Sequence, residues 1–115
     1  MQFMIAPTEP TDIKELFGDD AIETPLPFDM LLLTKSGRIA IERKQVPNDL
    51  LASVVDGRLS REIVAMREQA EIRVVLLHGR LSFRDDSSLV IPNAISIETR
   101  WTKERVDNLL RSLQY

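Results

Sequence analysis

The sequence predicts an α/β fold: a single mixed β-sheet flanked by helices. Three observations carry that expectation. Short apolar runs such as FDMLLL and IRVVLL are separated by stretches of helical period, in the order β-α-β-β-α-β-β-α. Two strand-like runs meet at Lys35-Ser36-Gly37, a hairpin turn. The 115 residues are 43% hydrophobic and 29% charged, the balance of a folded chain of one compact domain, 1–115.

The elements follow in order. Residues 1–5 form a first or edge strand, stopped by Pro7 and Pro10. Thr11 is a suitable N-cap for a short helix over 12–17 that ends at Gly18. Residues 19–27, with two prolines, read as a loop. Residues 28–34 are a near-continuous apolar strand, the kind covered on both faces. Residues 38–44 alternate: Ile39, Ile41 and Arg43 point one way, and Ala40, Glu42 and Lys44 the other. Pro47 ends that strand, and Asn48 or Asp49 caps a helix over 49–55. Asp56-Gly57 interrupts it, and a second helix runs over 59–70. Residues 72–77 are a β-branched apolar strand expected at the centre of the sheet. A polar loop over 79–93 leads to a last strand over 94–100. Thr102 caps a final helix with Val106, Leu109, Leu110 and Leu113 on one stripe.

Several function classes recede on composition. The absence of cysteine removes disulfides, thiolate nucleophiles and cysteine metal sites. No apolar run is long enough to span a bilayer, so no membrane partner is expected. No basic segment precedes the apolar residues of MQFMIAPTEP, so no signal peptide is expected. The expected location is cytoplasmic: nucleoid-associated in a prokaryote or phage, nuclear in a eukaryote. The net charge of −3 argues against a nucleic-acid binder only as a total, since binding depends on a local face.

The chemistry concentrates at the open end of the hairpin. Paired positions in a hairpin add to a roughly constant number, so Asp29 meets Glu42, with Lys44 one pleat away. Two converging carboxylates are costly if buried alone. A divalent cation would neutralise them, and hard oxygen ligands suit Mg²⁺ or Mn²⁺. Such a cation would bind a phosphodiester oxygen and lower the pKa of a water. Lys44 would hold or deprotonate that water, or stabilise the developing negative charge. The single histidine, His78, cannot build a histidine-based site. Spacing alone leaves an ion-paired exposed strand face as the alternative.

The run IERKQVPNDLLASVVDGRL resembles the signature of the XPF-type nuclease domain, a branch of the PD-(D/E)XK superfamily that also occurs in the helicase-nuclease Hef. Asp29 matches the aspartate of the family's G-D strand, and Glu42-Arg43-Lys44 its E-R-K. Asp49 and Ser53 match its D-x-x-x-S, and Asp56-Gly57-Arg58-Leu59 its D-G-R-L. VVLLHGR is similar to its apolar strand ending in E-G-R. The likeness is close over 28–80. Four departures stand out. The D-S-R-E motif is Ala6-Pro7-Thr8-Glu9 here, the glycine before the G-D aspartate is Phe28, one extra residue precedes Asp49, and the glutamine after D-G-R-L is Glu62.

The resemblance implies a restriction-endonuclease-like fold and metal-dependent endonuclease activity on branched or junction DNA. It implies Asp29 and Glu42 as metal ligands, with the Arg43 carbonyl as a candidate third. Lys44 becomes the catalytic base or electrostatic stabiliser, Glu9 and Asp49 auxiliary acids, and Arg43 and Arg58 substrate-binding residues. It also implies a homodimer or a partner protein that supplies DNA binding. The rivals are a non-catalytic DNA-binding or scaffolding domain, and a phage or mobile-element nuclease of broader range. Arg61, Arg67, Arg80, Arg84, Lys35 and Lys103 are candidates for a phosphate-binding rim or a solvated surface. Asp49 is also explained by helix capping, Trp101 by packing on the last helix, and His78 by a structural role.

Overall fold

In the computed structural model, which describes residues 2–90 and 101–114, the expected hairpin is the centre of the molecule. Strand β3 (Met30–Thr34) and strand β4 (Gly37–Val46) run antiparallel, from Thr34 opposite Gly37 to Met30 opposite Ile41. Strand β1 (Gln2–Ile5) lies antiparallel on the far side of β3. Strand β2 (Ala21–Glu23) pairs parallel with β1, and strand β5 (Ile72–Gly79) parallel with β4. The order is β2-β1-β3-β4-β5, one five-stranded mixed sheet.

Helices cover the sheet unequally. Helix α1 (Thr11–Phe17) stacks Phe17 on Phe3, ring centroids 4.1 Å apart. Phe3 lies opposite Leu32, and Leu32 opposite Ile39, so α1 serves the face that carries the odd-numbered residues of β4. Helices α2 (Asn48–Val55) and α3 (Arg58–Gln69) take the other face. There Phe28, Leu31, Ala40, Met66 and Ala70 form one buried cluster. Val46, Leu50 and Leu59 form a second, which Leu109 and Leu110 of helix α4 (Lys103–Ser112) and Leu113 just past its end close. Each Val, Leu, Phe or Met side chain fully buried in this way contributes roughly 1.5–3 kcal/mol.

Several expectations need correction. Residues 21–23, expected in a loop, form β2, because main-chain pairing with β1 supplies what their sequence pattern does not. Strand β5 is at the sheet edge among the described residues, not at its centre. Its Val75 and Leu77 pack under the helices, while Ile72, Val74 and Leu76 are exposed on the opposite face. Thr11 is the first residue of α1 rather than its cap, and that end has no side-chain cap. Neither Asn48 nor Asp49 caps α2: the cap position is Pro47, whose side chain has no hydrogen-bond acceptor to offer. Thr102 does cap α4, its hydroxyl accepting the Arg105 N–H at 3.3 Å. The strand expected over 94–100 lies outside the described residues. No described helix is long and apolar enough to cross a membrane.

Two glycines permit backbone geometry that a side chain would obstruct, one between α2 and α3 and one where β5 meets β4. Gly57 adopts φ 80°, the left-handed conformation that ends α2 and permits α3 to start at once. Gly79 has φ 114°, and a Cβ there would stand 2.5 Å from the Val46 carbonyl oxygen. Gly79→Ala is therefore expected to lower stability by about 1–3 kcal/mol, from backbone strain and a main-chain clash with no flexible neighbour to yield. Urea unfolding of the variant against the parent chain reads this directly, and unchanged stability would contradict the tight crossing.

Candidate active site

One step past the last β3–β4 pair, Asp29 comes opposite Glu42. Asp29 Oδ2 accepts the main-chain N–H of Arg43 at 2.8 Å, which ties the entry of β3 to β4. The Asp29 carbonyl accepts the Ala6 N–H at 2.8 Å, and a turn from Ala6 brings the Glu9 N–H within 3.1 Å of the Ala6 carbonyl. The ends of β1 and β3 thus deliver Glu9 and Asp29 to the second half of β4.

Strand alternation then divides β4. Glu42 and Lys44 turn toward α2 and α3 and are 3% and 7% exposed. Lys44 Nζ lies 3.4 Å from Glu42 Oε1 and donates to Glu62 Oε1 at 3.0 Å. Glu42 Oε2 has no hydrogen-bond partner; Ser53 Oγ on α2 is the other buried side-chain oxygen of that kind among the described residues. Arg43 turns to the opposite face. Its Nε donates to Glu9 Oε2 at 2.9 Å and its NH1 stands 2.8 Å from His78 Nε2. A guanidinium can only donate, so Nε2 is the acceptor and the ring proton sits on Nδ1.

Electrostatics follow from burial. Burial, then contact with Glu62 and Asp29, pushes the Glu42 carboxyl up to about 10. Burial also raises Glu9; its hydrogen bond to Arg43 works against the shift and the charge of Asp29 adds to it. For Lys44 burial works to lower the pKa, but the hydrogen bond to Glu62 and the charges of Glu42 and Glu62 outweigh it, and the net direction is up. These directions compete, since a protonated Glu42 would no longer hold the ammonium. Lys44 keeps its charge even so, because Glu62 is its shorter contact and the less buried acid.

The donor set fits a hard cation. Asp29 and Glu42 are oxygen donors within reach of each other, the charge of Asp29 disfavours that of Glu42, and one Glu42 oxygen is buried without a hydrogen-bond partner. Among the described residues no three His, Cys, Asp or Glu side chains form a complete cage. Mg²⁺ is commonly held by one or two carboxylates, with water and phosphate filling its shell.

Of the expected site residues, Glu9, Asp29, Glu42, Arg43 and Lys44 come together. Two do not. Asp49 is exposed on the first turn of α2, and no hydrogen bond or ion pair joins it to the cluster among the described residues. Arg58 is exposed and paired with Asp56 at 2.7 Å. Trp101 packs beside Leu51, Leu89 and Val106, with Arg105 over its ring at 4.6 Å. Sequence reasoning missed Glu62 as a site residue. Its signal was a charge on the inward stripe of α3, three after Leu59 and four before Met66, both buried. It also missed His78 as the partner of Arg43, which depends on the β4–β5 register placing Gln45 beside His78.

Comparison of the chain with protein-family models, curated proteins and solved structures gives no match. The likeness to XPF-type nuclease domains therefore stands on the motifs themselves.

Proposed function

We propose that this chain is a metal-dependent endonuclease of the XPF type, with a restriction-endonuclease-like fold, that hydrolyses phosphodiester bonds in branched or junction DNA. One observation carries the reading: Asp29, Glu42 and Lys44 converge at the hairpin's open end, with a buried Glu42 oxygen that has no partner. Asp29 and Glu42, with the Arg43 carbonyl, are the groups that would hold Mg²⁺ or Mn²⁺. When bound, the cation neutralises the carboxylates, draws charge from the phosphodiester and makes a water more acidic.

The chain's own residues supply the rest. Lys44 is kept as an ammonium chiefly by Glu62, its shorter contact, so its part is to stabilise negative charge gathering on the phosphoryl oxygens rather than to take a proton. Asp29 fixes the Arg43 main chain and thereby the spacing of Glu42 and Lys44. Glu9 holds the Arg43 guanidinium rather than acting on substrate. In the reaction water oxygen bonds to phosphorus and gives up a proton to solvent, one P–O ester bond breaks, and the departing oxygen takes a proton from solvent.

A non-catalytic DNA-binding domain is the second reading. It is favoured by Ala6, buried and apolar where the resembled pattern has an acid. Incubation with labelled flap, fork, duplex and single-stranded DNA, with and without Mg²⁺ or Mn²⁺, separates the two. Metal-dependent cutting is expected, strongest on flap or fork. Fork binding without cutting supports the second reading; equal cutting of all substrates indicates a nuclease of broader range.

A further inference from the structure

We propose that Glu62 is the positioning residue that lets the Lys44 ammonium and a divalent cation share Glu42. The inference rests on the cation site proposed above. The two oxygens of Glu42 are already divided: Oε1 faces Lys44 at 3.4 Å and Oε2 is free. A cation on Oε2 would repel an ammonium a few ångströms away and weaken its hold on Oε1. Lys44 stays because its shorter contact, 3.0 Å, is to Glu62, on a different element. Both side chains are largely buried, 8% and 17% exposed, so neither charge is left to solvent.

Charge balance points the same way. Glu9 is paired with Arg43 and drops out. The carboxyl groups of Asp29, Glu42 and Glu62 would then face a divalent cation and the Lys44 ammonium, the cation taking the place of the proton that burial favours on Glu42. Without Glu62 the cation and the ammonium compete for one carboxylate in a low-dielectric setting.

The test is Mn²⁺ binding by calorimetry, a measurement that needs no DNA and no turnover. Glu62→Gln keeps the shape and removes the charge. It is expected to weaken Mn²⁺ binding by roughly 10-fold or more, in the range of residues that orient metal ligands. Lys44→Met in the Glu62→Gln background removes the competing ammonium and is expected to restore binding to the parent level or better. A residue that only supports α3 would give no such rescue. Glu62→Asp, shorter by one carbon but still charged, is expected to fall between parent and Glu62→Gln, and gives a reading should the glutamine variant not fold. Parent-like Mn²⁺ binding by Glu62→Gln, or a double variant as weak as the single, overturns the role of Glu62 and leaves the cation site standing. An absence of Mn²⁺ binding by the parent chain overturns both.

Discussion

Glu42→Ala and Lys44→Ala are each expected to remove metal-dependent cleavage, by at least roughly 10³-fold in kcat. The two losses differ in kind. Glu42→Ala takes away the ligand whose Oε2 is buried and unpartnered, so the variant should bind Mn²⁺ poorly and cut poorly at any metal concentration. Lys44→Ala keeps Asp29 and Glu42 and takes away the ammonium beside them, so Mn²⁺ binding should persist while the chemical step fails. Single-turnover cleavage of a labelled fork at several Mn²⁺ concentrations, with calorimetry on the same samples, distinguishes the two. A Lys44→Ala variant that cuts at the parent rate would sink the proposed mechanism. Arg58→Ala is a useful contrast: its exposed pair with Asp56 is worth little to stability, so any effect should appear in DNA affinity.

Much of this site was legible because strand alternation is a short-range property. The period of two over residues 38–44 puts Glu42 and Lys44 on one face whatever the rest of the chain does, and the KSG turn fixes Asp29 against Glu42. The α4 stripe and the Asp56-Gly57 break were legible for the same local reasons. What was hidden depends on distant partners. An apolar run such as IRVVLL reads alike at a sheet's edge or its centre, since sequence does not say whether Ile72, Val74 and Leu76 meet another layer. Residues 21–23 are strand only because β1 is beside them. Burial of a whole acid–lysine cluster is set by α3 lying across β4, and no spacing within residues 38–44 announces it. The partners of the Arg43 guanidinium are distant too, Glu9 from the loop after β1 and His78 from β5.

Glu42→Gln is expected to make the cation-free protein more stable while leaving it inactive. Folding raises the Glu42 carboxyl from 4.5 to about 10, through burial first and then Glu62 and Asp29. The folded state therefore holds a proton that the unfolded chain releases, and this contribution, complete below about pH 4.5, is lost as pH rises toward 10. Glu9 is raised too and acts in the same direction. Lys44, raised from 10.5, contributes no slope at neutral pH, and the lowered Asp56, Glu71 and Asp86 matter only as pH falls through the acid range. In EDTA, stability should decline from pH 5 to pH 9 by about 2 kcal/mol or more, on the order of 8 °C in Tm. The glutamine, which has no proton to lose, should flatten that slope and gain most at the alkaline end. Mg²⁺ should mimic it in the parent chain, raising Tm more at pH 8 than at pH 5, because a cation on Glu42 replaces the proton. It should do little for Glu42→Gln. A flat pH profile, or a glutamine variant less stable at pH 8, would mean that the buried carboxyl is not under the strain its surroundings impose. The expected pattern would instead locate the cost of a cation site in one side chain: Glu42 is held where its charge is unwelcome until a metal arrives.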